Sequence, residues 1–309
     1  MPAPLPRIAL SGALAAAVLA GCQLYLPGQD RDDDNGGNGG DGTLTLRIVG
    51  SQGGGFDDVV LRAFGVELTG ADGISASRDF VETDLRLFAA GDGALLLDRE
   101  SVPAGEYGRI RIRALGDDQS TANSSFVDDA LSGGIFPLAV PLDRADFSVD
   151  FRTSRNAGRT VSLVVHTQAS VIFEGQAEQF FSFRPTGYAV RTDGDRAGRV
   201  QGTLPNTCTN SPRMDDLAVY VYSAEAPADG IRDIQGGSGT GEPLVSFAAD
   251  SANNFVSPPL PPGQWRFAWT CRALDDNPEQ ANTAVRNELR DTVTDPVEVR
   301  AGETRNLAF

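Results

Sequence analysis

In the stretch GRIRIRA, Arg109, Arg111 and Arg113 alternate with Ile110 and Ile112, and the same alternation recurs along much of this 309-residue chain. Successive side chains of a strand point to opposite faces, so a strict two-residue period marks strands buried on one side. TLTLRI puts Leu44, Leu46 and Ile48 on one face. FPLAVPL does the same with Phe136, Leu138, Val140 and Leu142, and DFSVDF with Phe147, Val149 and Phe151. The intervening segments GADG, AAGDG and NAG are built from turn-forming residues. A helical period competes in EQANTAVRNELRD alone, which predicts one short helix. The pattern predicts an all-β chain of sandwich type.

The first residues obey another logic. Ile8 to Ala20 are apolar and mostly small, follow the positive Arg7, and are too few to span a bilayer as a helix. They read as the core of a signal peptide. Leu19-Ala20-Gly21-Cys22 resembles the lipobox of bacterial lipoproteins, whose cysteine is acylated and becomes the N-terminus after cleavage. The resemblance implies a signal peptide over 1–21 and a lipidated Cys22, with palmitate-like chains numerous enough for stable membrane anchoring. Gln23 is not the aspartate associated with inner-membrane retention in Gram-negative bacteria, so the outer membrane is the expected location. Gln29 to Gly42 is almost wholly Asp, Asn and Gly, so 22–42 is expected to be a self-repelling, flexible tether.

The formal charge is −16 and every basic residue is arginine. Such a chain repels phosphate backbones, which argues against a nucleic-acid partner and leaves the lipid anchor as the expected membrane contact. Of the three cysteines, lipidation would consume Cys22. Cys208 and Cys271 then remain as a pair in an exported protein, where disulfides persist. The single histidine, His166, lies in TVSLVVHTQ opposite the apolar face of Val161, Leu163 and Val165. It is therefore expected at the surface or facing a partner, and no nucleophile motif accompanies it.

The length after the tether suits two domains, 43–194 and 195–309, with the seam at Arg191 to Gly198. Each half carries one version of a phrase: SVPAGEYGRIRIRA in the first and PLPPGQWRFAWTCRA in the second. Proline fixes its own φ, glycine permits a positive one, and the aromatic covers the end of the sandwich. The phases differ. Trp265 alternates with Phe267, Trp269 and Cys271, whereas Tyr107 alternates with the arginines, so a one-residue bulge near Gly108 is needed to bring Tyr107, Ile110 and Ile112 to one side.

GTLTLRI, DVVLRAFGVELTG, DLRLF, LLLDRESVPAGEYGRIRI, FPLAVP and FRPTGYAV, in that order, resemble the domain-of-unknown-function family 4382 of bacterial and archaeal lipoproteins. The chain departs from it after the first strand, where GSQGGGFDD stands in place of a DAP-like segment. GRVQGTL, AVYVYSA, LPPGQW and PVEVRAGETRNLAF are similar to carboxypeptidase-regulatory or transthyretin-like sandwiches. Neither resemblance implies catalytic residues.

Other chemistry is confined to a few candidates. Acidic doublets occur at Asp57-Asp58, Asp117-Asp118, Asp128-Asp129, Asp215-Asp216 and Asp275-Asp276. Asp57, Asp58, Asp128 and Asp129 are weak candidates for Ca²⁺, which takes six to eight oxygens; otherwise no cofactor is expected. GGSGTG (236–241) lacks the lysine of a phosphate loop, and WRFAW reads as core. The expectation is a non-catalytic envelope lipoprotein with a binding or structural role toward an envelope protein or glycan. A calcium-assisted carbohydrate-binding module and a carboxylate-based hydrolase stand as alternatives.

Overall fold

A computed structural model describes residues 40–309 except 52, 54, 71–72, 89–92, 117–123, 131, 175–179, 194–195, 206–207, 209–216 and 236–240. Cys22, the signal segment and nearly all of the tether lie outside the described residues, as do Asp117-Asp118, Asp215-Asp216 and most of GGSGTG. No helix among the described residues is long and apolar enough to cross a membrane.

The chain is mostly strand. In order come β1 (Asp41–Gly50), β2 (Phe56–Gly70), β3 (Ser75–Arg86), β4 (Ala94–Pro103), β5 (Gly105–Leu115), β6 (Phe126–Asp129), β7 (Gly134–Ala139), β8 (Arg144–Thr153) and β9 (Gly158–Val165). The one-turn helix α1 (Thr167–Ser170) leads to β10 (Val171–Glu174), β11 (Phe180–Phe183) and β12 (Gly187–Arg191). Then follow β13 (Arg199–Thr203), β14 (Ala218–Ser223), β15 (Val245–Ala248), β16 (Asn254–Val256), β17 (Gly263–Thr270), α2 (Thr283–Thr292), β18 (Val297–Val299) and β19 (Thr304–Ala308).

Two sheets form the first sandwich. One has the order β12-β9-β1-β4; the other runs β10-β11-β7-β6-β2-β5-β8, with β3 on the far edge of β2. Leu44, Leu46, Ile48, Val161, Leu163 and Val165 share one core with Ile110, Ile112, Phe147 and Phe151. Each such side chain contributes roughly 1.5–3 kcal/mol by leaving water. The register of β5 breaks between Tyr107 and Arg109 against both neighbours, so Gly108 marks the expected bulge and Tyr107 is buried with Ile110 and Ile112. The alternate arginines face outward into a carboxylate lattice: Arg111 reaches Asp146 at 2.6 Å and Glu67 at 3.2 Å, and Arg113 pairs with Asp79.

The second half pairs a sheet of order β16-β13-β19 with one of order β15-β14-β17-β18. Val200, Val219, Val221, Phe247, Phe255, Trp265 and Phe267 fill the space between them. The opposite side of β14 and β17 is covered as well. Ala218, Tyr220, Tyr222 and Ala268 pack with Val285 and Leu289, which lie four residues apart on one face of α2. Asn282 caps that helix, its side-chain oxygen accepting from the amides of Ala284 at 3.0 Å and Val285 at 3.2 Å.

The sequence seam falls between β12 and β13, but the packing does not stop there. Val164, Tyr188 and Val190, on the back of β9 and β12, belong to the same apolar cluster as Val200, Phe255 and Leu260. The sheet of β12-β9-β1-β4 thus contributes one face to the first core while its back joins the second.

Candidate functional site

The disulfide closes as expected: Cys208 and Cys271 are bonded, with Cα atoms 5.6 Å apart and a sequence separation of 63. Both half-buried sulfurs pack with Trp269 against the second core. In the chain-entropy model such a closure is worth about 4 kcal/mol.

His166 requires a correction. It is expected at the surface or facing a partner, yet it is 1% exposed within the chain itself. Period two identifies the side of β9 from which it projects, but the second half covers that side. At the end of β9 the backbone amide of His166 donates to the Thr186 carbonyl at 2.8 Å, and α1 begins at the next residue. The imidazole Nε2 lies 2.9 Å from the Ser246 hydroxyl on β15 and accepts from the Ser246 amide at 3.2 Å. Ser246 Oγ also lies 2.9 Å from Gln168 Oε1, and its single proton is shared between these two acceptors. Gln168 Nε2 donates in turn to the carbonyls of Ala273 at 2.7 Å and Asp276 at 3.3 Å. Burial pushes the imidazole down to about 3, so it is neutral at physiological pH. A hydroxyl beside an imidazole is the pairing of a nucleophile with a base. Here Ser246 and His166 are each 1% exposed, so no substrate reaches them, and their hydrogen bonds join the two halves.

Behind this polar seam lies a buried acidic group. Asp276 accepts at Oδ2 from the Tyr220 hydroxyl at 2.8 Å and the Ile234 amide at 3.2 Å, while its Oδ1 has no partner among the described residues. Burial, with Asp233 and Glu242 nearby, pushes the Asp276 carboxyl up to about 7. Asp233 is fully buried and accepts from Arg286 at 3.1 Å and Gln235 at 2.8 Å. Both acids sit in the interior beneath α2 rather than across a cleft. Ser246, Gln168, Asp233 and Asp276 carried no sequence signal beyond the Asp275-Asp276 doublet.

The calcium candidates are placed as follows. Asp58 lies opposite Asp128 across the β2–β6 ladder, and Asp129 opposite Phe56. Asp58 pairs with Arg86 and accepts from the Val59 amide at 2.9 Å. Asp129 accepts from the hydroxyl of Ser132 at 2.6 Å, and Asp57 is exposed. Among the described residues no three His, Cys, Asp or Glu side chains are grouped so as to hold a metal ion.

One pocket opens along the join between the halves. It has a volume of about 390 Å³, with Arg47, Thr160 and Ser162 from the back of β1 and β9 on one side and Arg199, Glu303 and Thr304 on the other.

No family model matches the chain, and no curated protein does. Solved structures give distant likenesses. The TIE protein of Bacillus anthracis is 12% identical at a TM-score of 0.20 over 87% of this chain, which spans 33% of that one. BcpA, the major pilin subunit of Bacillus cereus, is 10% identical at 0.19, over 87% of this chain and 98% of that one. A fimbrial protein from Bacteroides ovatus is 9% identical at 0.18, over 87% and 49% respectively. Superpositions this loose carry no argument about role.

Proposed function

We propose that this chain is a membrane-anchored envelope lipoprotein, acylated on Cys22, with a non-catalytic binding or structural role. The observation that carries the non-catalytic part is the sealing of His166 and Ser246, a nucleophile–base pair buried at 1% exposure and used as an inter-half clasp. The anchoring part rests on Leu19-Ala20-Gly21-Cys22 and the Asp/Gly-rich segment that follows. In this reading the anchor fixes location and the β-sandwich surfaces meet an envelope protein or glycan. The resemblances to family 4382 and to carboxypeptidase-regulatory sandwiches belong to the same reading.

The test is metabolic labelling with a palmitate analogue, followed by membrane fractionation. The wild-type chain is expected to carry label and sediment with membranes. Cys22→Ser is expected to lose both properties. A Cys22→Ser chain that stays labelled and membrane-bound would refute the anchor.

A further inference from the structure

The pocket at the join differs in charge from the rest of the molecule. The chain carries −16 overall, yet two guanidiniums, Arg47 and Arg199, line this pocket against one carboxylate, Glu303. Several arginines elsewhere are matched to carboxylates: Arg62 to Asp84, Arg111 to Asp146 and Arg286 to Asp233. Arg47 is half-buried on β1 and makes no side-chain hydrogen bond or ion pair to any described residue. Its donors are thus available to whatever enters. Arg199 is held in place, Nη1 donating to the Ser257 carbonyl at 3.0 Å.

The rest of the lining is polar. The hydroxyls of Thr160 and Ser162 stand beside Arg47 and are not used by another described residue, and Thr192 and Thr304 add two more. Ala197 and Pro259 supply the apolar surface, and among the described residues no aromatic ring lines the pocket, so a neutral sugar has no platform there on which to stack. Affinity has to come from charge-assisted hydrogen bonds, of which the guanidinium–carboxylate fork is the strongest available. The volume falls in the range of small-ligand sites, roughly 300–1,000 Å³. Together these features ask for one carboxylate on a small, polyhydroxylated body.

We propose that this pocket binds the carboxylated sugar unit of an acidic glycan, of the hexuronic-acid class, with the carboxylate on Arg47 and the sugar hydroxyls toward Thr160 and Thr192. The proposal deepens the binding-module reading and is independent of the anchor, since it is tested on purified protein wherever the chain resides.

The experiment is ligand-detected NMR on the full chain with D-glucuronate, D-galacturonate, D-glucose, acetate and inorganic phosphate as separate probes. At least one uronate is expected to bind at millimolar concentration, with glucose, acetate and phosphate each weaker by about tenfold or more. Arg47→Gln is expected to reduce uronate binding by about tenfold or more without moving the melting temperature, and Arg47→Lys to restore part of it. Arg144→Gln, on the exposed face of the other sheet, is expected to leave binding unchanged. Absence of binding by both uronates, or equal binding of glucose, would overturn the proposal. Equal binding of acetate or phosphate would reduce the pocket to a simple anion site and overturn the sugar assignment. Full uronate binding by Arg47→Gln would remove Arg47 from it.

Discussion

Pro103–Tyr107 and Pro261–Trp265 are two versions of one corner, and the structure builds both by the same means. In each, the glycine at the third position has a positive φ, 158° at Gly105 and 153° at Gly263. In each, the aromatic donates to the proline carbonyl four residues back: the Tyr107 hydroxyl to Pro103 at 2.7 Å and the Trp265 indole to Pro261 at 2.9 Å. They part after the aromatic. Trp265 and Phe267 continue in unbroken register against Ser223 and Val221. Tyr107 is followed by the register break at Gly108, and its ring stacks on Phe151 at 5.3 Å. The corner is therefore a transferable unit, and one bulged residue suffices to reset the phase of the strand behind it.

The contrast can be broken hardest at Trp265. Trp265→Ala removes a buried indole and the corner bond together, and a loss of about 3–5 kcal/mol is expected by denaturant titration. Reducing the Cys208–Cys271 bond acts on the same half. It should lower stability by about 4 kcal/mol, with no counterpart in the first sandwich, read as a shift of the urea midpoint between oxidised and reduced protein.

A third comparison is of pH. The Asp276 carboxyl is raised to about 7 in the fold from an ordinary 3.8, so its burial costs nothing below about pH 4 and progressively more stability as pH rises to 7. The His166 imidazole is lowered to about 3 from 6.5, so its burial costs nothing above about pH 6.5 and more as pH falls toward 3. The two slopes oppose each other between about pH 4 and 6.5. Asp276→Asn keeps an acceptor for Tyr220 and Ile234, and should stabilise by about 4 kcal/mol at pH 8 and by almost nothing at pH 4. Melting temperatures across that range measure this, and a pH-independent difference would contradict the burial account.

Smaller effects compare the two glycines. A Cβ on Gly105 would lie 2.2 Å from Ile74 Cδ1, whereas on Gly263 nothing would be nearer than 3.6 Å. Both alanine variants are strained by their positive φ at about 1–3 kcal/mol, with Gly105→Ala the costlier of the two. Smallest is Tyr107→Phe, expected below about 1 kcal/mol. Thr153 Oγ1 also donates to the Pro103 carbonyl, at 2.9 Å, and keeps it satisfied. Parallel urea titrations rank all three variants, and a costlier Gly263→Ala would invert the packing contrast.

Much of this architecture was legible from the residues. Alternation marked the inward faces of β1, β5 and β8, the phase conflict between Tyr107 and Ile110 marked the bulge, and elimination marked the disulfide. The short helix emerged from a single stretch of helical period. What alternation could not convey is what covers the second face of a strand. β9 and β14 are buried on both sides, and their second faces carry His166, Tyr220 and Tyr222, residues that also suit a surface. The clasp was hidden for the same reason, since His166 and Ser246 are 80 residues apart and nothing local to either requires the other. The pocket is more hidden still, because its lining is drawn from separate segments spread between Arg47 and Thr304.

The central claim is that the back of β9 and β12 joins the halves into one folding unit, through Val164, Tyr188, Val190 and the His166–Ser246–Gln168 clasp. The two tryptophans, Trp265 and Trp269, both lie in the second half, so their fluorescence reports on that half, while far-UV circular dichroism reports on strands throughout. Urea unfolding of the oxidised chain, followed by both signals, is the most direct test. Coincident transitions with one midpoint are predicted; a fluorescence transition separated from the dichroism transition would contradict the claim and leave two sandwiches that fold independently.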